Sequence, residues 1–127
     1  MGAPVNTGQK PPGAPPKVAP RDHYYEKELT IAIHQRRVVR LRYDKDLQYR
    51  VFEPYMLYQD ALGRVMIGGR RIRDEANLLK KPGMRKLEVG LITDLQQTGE
   101  TFEADARFDS SKRPPGEQVI EAIDRPR

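Results

Sequence analysis

Arginine is concentrated in two short stretches, RRVVRLRYDKDLQYRVFEP over residues 36–54 and GGRRIRD over residues 68–74. Guanidinium groups fork onto phosphate oxygens, and aromatic rings set among them stack on bases, so such stretches suit a polyanionic ligand. Between Arg36 and Lys86 there are 14 Lys and Arg against 6 Asp and Glu, a local excess of +8 in a chain of net charge +5. From Leu87 onward the balance reverses to 5 against 9. Positive charge gathered in the middle of a chain points to nucleic acid more than the same charge spread evenly. The densest patch is Arg70, Arg71 and Arg73, extended by Lys80, Lys81 and Lys86. Gly68 and Gly69 precede it and permit close approach of the backbone to a polyanion, as the hinge of a basic loop would. A solvated surface explains other arginines equally well. Arg40 and Arg42 alternate with Val39 and Leu41, and point outward simply because those two point inward.

Other chemistries find little support. The chain has no cysteine, which removes disulfides, thiolate nucleophiles and the common zinc sites, and fits a reducing cytosol. His23 and His34 stand 11 residues apart with no carboxylate at ligand spacing, so no metal is expected. Ser110 and Ser111 lie in a polar stretch with no motif tying them to a histidine, and no carboxylates form a desolvated pair. A non-catalytic protein without a cofactor is therefore expected. No apolar run approaches the length of a membrane span.

Positioning these residues requires a fold, and the spacing proposes one. In YYEKELTIAIHQRR, Tyr25, Leu29, Ala32 and Ile33 form one helical stripe, with Asp22 as N-cap and acidic residues early and arginines late. VVRLRYD follows at strand period, KDLQ turns, and YRVFEPYMLYQ reads as a second strand too apolar on both faces to lie on the surface. Pro54 inside that run implies an edge position or a bend, since proline donates nothing to a ladder. DALG predicts a hairpin loop, and RVMIGG a third strand ended by its glycine pair. RDEANLLKKPG carries helix punctuation, predicting one or two helical turns. RKLEVGLITDL resumes strand spacing, and QQTGE predicts a turn into TFEADARFD, where Phe102, Ala104, Ala106 and Phe108 alternate with charged residues. GEQVIEAID places Val119, Ile120 and Ile123 on a short terminal helix. One helix, about five short strands and flanking helical turns predict a mainly β protein, a small bent sheet closing into a barrel.

The first 22 residues hold six of the eleven prolines and almost nothing that packs, so residues 1–23 are expected to form a disordered Pro/Gly/Ala-rich tail, with the domain at 24–124. The tail has neither the apolar run of a signal peptide nor the Ser or Thr of a myristoylation signal, Asn6 standing there instead.

The order of elements resembles a known family. ELTIAIHQRRVVRLRY is similar to the opening of the WYL domain, a helix of form L-x-x-A-I running into a strand that ends in Tyr. Arg50 to Pro54 matches the family's R-x-x-x-P, followed by Leu57, and TGETFEADARFD resembles its phenylalanine-bearing stretch. Val65, Met66 and Ile67 stand where the family has Trp-Tyr-Leu. Arg85 matches the first arginine of the motif R-x-F-R-L-x-R-I, while Glu88 and Leu91 replace the next two. The resemblance spans about residues 28–110 and implies an Sm-like, SH3-type barrel of the sort found in bacterial transcription regulators, sensing nucleic acid or nucleotides. It nominates Tyr43, Arg50 and Arg85 as ligand contacts and, with only the Pro-rich segment ahead, a free-standing module. By residue chemistry alone, Tyr43 fits the core beside Val39 and Leu41, and the two arginines could instead pair with Glu53 or Asp44. Two functions stay open: binding single-stranded nucleic acid or nucleotides through Arg50, Arg85, Arg70, Arg71 and Arg73, or self-association or protein binding through a strand edge.

Overall fold

The computed structural model describes residues 18–125. One helix, α1 (His23–Gln35), precedes six strands: β1 (Arg37–Tyr43), β2 (Arg50–Gln59), β3 (Val65–Asp74), β4 (Gly83–Glu88), β5 (Ile92–Thr101) and β6 (Gln118–Ala122). A single 3-10 turn, Val89–Leu91, joins β4 to β5. Every pairing is antiparallel, in the order β4-β3-β2-β1-β5, and β6 also pairs with β2. The protein is thus mainly β with one flanking helix, its sheet bent into a barrel-like shape that is not closed.

The helix begins where local chemistry places it. The Asp22 carboxylate accepts from the Tyr25 N–H at 2.9 Å, and Arg36 ends the helix in the left-handed region with φ 53°. Leu29, Ala32 and Ile33 are fully buried and seat α1 against the sheet. With Val39, Leu41, Phe52, Leu57, Ile67, Leu87, Val89 and Ile92 they form the main core. A smaller cluster of Met56, Tyr58, Met66 and Ala122 lies on the other side of β2 and β3. β2 is therefore apolar on both faces because both faces are covered.

Pro54 marks a bend in a central strand and not an edge. β2 pairs with β1 up to Phe52 and with β6 from Met56 onward, so the missing N–H falls at the change of neighbour. The hairpin after Gln59 turns at Gly63, with φ 87°, and the Asp60 carboxylate accepts from the backbone of Leu62 and Arg64.

Four expectations are corrected. The glycine pair does not end β3, which runs on to Asp74, so GGRRIRD is strand and not loop. At Gly69 a Cβ would stand 2.2 Å from the Glu53 carbonyl oxygen and 2.7 Å from the Phe52 ring, and only glycine fits there. Residues 75–82 form turns instead of a helix, because the Asp74 and Asn77 side chains take the N–H groups of Ala76 and Leu79. Phe102 to Phe108 is not a strand; β5 already contains QQTGE, and the alternation continues into a loop. There Phe102 and Phe108 are half-buried on either side of Tyr55, with ring centroids 5.6 and 5.1 Å from it. The terminal helix is instead strand β6, because the second half of β2 leaves an edge that Gln118–Ala122 fills.

The expected tail also shortens where it is described. Residues 1–17 lie outside the described residues, but His23 starts α1 and Ala19 donates to Glu88 Oε2 at 2.8 Å. The chain crosses Gly90 so closely that a Cβ there would lie 2.3 Å from the Pro20 carbonyl oxygen.

A candidate anion site at one end of the sheet

Strand register decides which arginines meet. β1 pairs Leu41 with Arg50 and Val39 with Phe52, so Arg50 lies on the face that carries the main core. Two residues beyond Leu41, Tyr43 continues the same face. On β3, Arg71 follows Ile67 and Gly69 at period two and pairs with Gly83, while Gly69 pairs with Arg85. Tyr43, Arg50, Arg71 and Arg85 therefore share the inner face, at the end where the apolar residues run out.

Each has distinct surroundings. The Arg50 guanidinium lies over the Tyr43 ring, 5.4 Å from its centroid, and pairs with Asp46 at 2.5 Å. The Tyr43 hydroxyl accepts from the Glu88 N–H at 3.0 Å, and burial pushes its pKa up. Tyr43 thus belongs to the margin of the core and to the cationic cluster at once. Arg85 makes no ion pair among the described residues; its Nη1 donates to the Met84 carbonyl at 2.7 Å. Gly83 accommodates that side chain, since a Cβ there would stand 2.9 Å from Arg85 Nη1.

Arg71 is the unusual member. It is only 3% exposed, and its Nη2 donates to the Lys81 carbonyl at 2.8 Å. Its Nε has no partner among the described residues. Burial, then the like charge of Arg85, pushes the guanidinium pKa down; Asp74 acts in the other direction and Arg50 adds to the repulsion. Arg71 thus lies within reach of the charges of Arg85 and Arg50, with Asp46 paired to Arg50 and Asp74 acting on Arg71. An anion placed among the three guanidinium groups would satisfy the orphan donor and relieve the repulsion.

Arg70 and Arg73 do not join this group. Arg70 alternates to the outer face, near Glu53, Asp105 and Arg107. An extra residue in β3, opposite Val51 and Phe52, turns Arg73 outward too, toward Glu75. Arg40 and Arg42 also point outward, as their spacing predicts. Arg40 donates twice to Glu75, both at 2.7 Å, and lies 3.8 Å above the Tyr49 ring; Tyr49 in turn bonds Asp94. His34 Nε2 lies 3.1 Å from Glu121 Oε1, linking α1 to β6. Sequence inspection overlooks the supporting roles of Gly83 and of the Lys81 carbonyl. The Pro82-Gly83 pair was the available signal, but it resembled helix punctuation. Among the described residues no group of His, Asp and Glu is arranged to hold a metal, and no helix is long and apolar enough to cross a membrane.

These features define a class: a small, barrel-like antiparallel sheet with one helix and a cationic cluster at one end. Among solved structures the chain is similar to proteasome accessory factor B/C (PafBC) of Arthrobacter aurescens, with a TM-score of 0.55 and 18% identity. The match covers 80% of this chain and 15% of that one, so the chain corresponds to a small part of PafBC's length and the likeness is one of fold. No family model matches the sequence. None of the curated proteins matches it either.

Proposed function

We propose that the protein is a WYL-like, non-catalytic regulatory module that binds a phosphate-bearing ligand, single-stranded nucleic acid or a nucleotide, through Tyr43, Arg50, Arg71 and Arg85. The observation that carries this reading is the buried Arg71 guanidinium, with an unpartnered Nε and two like charges beside it. Such a group is costly to the fold unless something fills the place, and a phosphate supplies both charge and acceptors. The Tyr43 ring offers a stacking surface at the edge of the same site. The fold shared with PafBC supports the WYL resemblance. Arg70 and Arg73 belong to the outer field, which steers a polyanion without gripping it.

The test is anisotropy of labelled single-stranded DNA and RNA over a salt series, with two double variants. Arg50→Ala with Arg85→Ala should weaken binding at least tenfold and lower the log–log salt slope by roughly 0.7 for each lost phosphate contact. Arg70→Ala with Arg73→Ala should cost only a few-fold. Equal losses would reduce the site to a diffuse field. No binding by the parent at low salt would refute the reading and leave a protein partner or a second copy, for which the outer edges of β4 and β5 stand open among the described strands.

A further inference from the structure

A cavity opens on the other side of β3, the face that Gly68 shares with Met66. Its volume is about 360 Å³, within the range of small-molecule sites and too small for a folded partner. Met56, Tyr58, Met84 and Phe108 supply an apolar lining. The charged residues that line it, Arg85, Lys86 and Arg113, are all cationic, and no carboxylate lines it.

Three features indicate a built site. The loop after β5 is fixed in place: the Asp105 N–H donates to the Tyr55 hydroxyl at 2.9 Å and the Ser110 N–H to Asp124 at 2.9 Å, which holds Phe108 and Arg113 over the sheet. Arg113 lies 5.8 Å from the centroid of the Tyr58 ring, and its buried Nε has no partner among the described residues. Its Nη1 reaches Glu117 only at 3.4 Å. Finally, Gly68 keeps the floor clear. A Cβ there would meet Tyr58 at 3.6 Å, an ordinary contact, so the backbone does not require glycine for want of room.

We propose that this cavity is a binding site for a small organic anion. Its flat apolar body lies on Met56, Tyr58 and Phe108, and its carboxylate, sulfonate or phosphate meets Arg113 and Lys86. The apolar floor supplies affinity without direction, while the Arg113 guanidinium, with its unpartnered Nε, fixes which end of the ligand is charged.

The probe is 8-anilinonaphthalene-1-sulfonate, with the uncharged N-phenyl-1-naphthylamine as its control, titrated against the full chain by fluorescence. Methionine methyl groups, selectively labelled with carbon-13, report where the probe binds. The chain has 4 methionines, of which Met56 and Met84 line the cavity. The sulfonate should shift those two signals, and the uncharged analogue should bind at least tenfold more weakly. Gly68→Val, which fills the cavity at a position with room for a Cβ, should weaken the sulfonate at least tenfold, and exposed Lys86→Gln several-fold. Arg113→Gln should erase the preference for the charged probe. Unmoved Met56 and Met84 signals, equal binding of the neutral analogue, or a Gly68→Val protein that binds like the parent would each overturn the proposal.

Discussion

Replacing Arg71 by Met should make the protein more stable and remove the proposed phosphate binding. The two side chains are similar in volume, so Met fills most of the space that Arg71 occupies. What is lost is one charge-assisted hydrogen bond, from Nη2 to the Lys81 carbonyl. Such a bond contributes about 1.5–3 kcal/mol, with the lower end apt here because Lys81 is exposed and water replaces the donor. What is gained is removal of an unpartnered buried donor, about 1–3 kcal/mol, and relief from the charge of Arg85 and Arg50. The wider cost of keeping a guanidinium out of water acts in the same direction. The balance favours Met by about 1–2 kcal/mol, and a domain of this size gains roughly 4–8 °C in melting temperature per kcal/mol. Calorimetry at low salt without ligand measures the first effect, and oligonucleotide anisotropy the second. A melting temperature that falls by several degrees would refute the reasoning, since it would mean that the guanidinium is a net stabiliser satisfied by the fold itself. A raised melting temperature with unchanged binding would remove Arg71 from the site.

Four further outcomes follow from the packing and the charges. Phe52→Ala, at a fully buried position, should cost about 3–5 kcal/mol in a denaturant melt, whereas Phe102→Ala and Phe108→Ala, half-buried beside Tyr55, should each cost less than half of that. Gly69→Ala should destabilise severely because its Cβ meets the Glu53 carbonyl, while Gly99→Ala, with nothing within 4 Å, should be neutral or better by about 0.5–1 kcal/mol in the same assay. Removing residues 2–21 should lower the melting temperature by several degrees, since Ala19 then leaves Glu88, and Arg21 leaves the buried carboxylate of Glu26. Asp105 should titrate by NMR at about 2, held down first by the hydrogen bond from the Arg107 side chain. A carboxylate whose folded pKa is depressed contributes stability that is present above its ordinary value of 3.8 and lost as pH falls toward about 2, so Arg107→Gln should move the midpoint back up and flatten that part of the acid limb.

Helix α1, its Asp22 cap and the course of β1 and the first half of β2 were legible in the sequence, because they depend on contacts between near neighbours. A stripe at helical spacing, a capping carboxylate and a period of two each act within a few residues. The outward course of Arg40 and Arg42 followed from the same local rule. The errors came where a local signal met a distant partner. Val119, Ile120 and Ile123 sit at helical spacing, yet that segment is strand because β2 changes neighbours at Pro54 and leaves an edge only a remote chain segment can fill. Phe102 to Phe108 alternates faultlessly, but β5 has already satisfied its ladder, and the phenylalanines are held by the Tyr55 ring instead of by a neighbouring strand. Gly68 and Gly69 suggested the end of a strand, although Gly69 is there so that the Phe52 ring and the Glu53 carbonyl can approach. That one substitution of strand for loop sorts GGRRIRD, sending Arg71 inward beside Arg50 and Arg85 and turning Arg70 and Arg73 away. Composition determined that the chain carries a basic centre. Which guanidinium groups face one another was decided by hydrogen-bond register between neighbouring strands, with the extra residue in β3, because a shift of one residue exchanges the two faces of a strand and the period of one strand does not show which partner residue stands opposite.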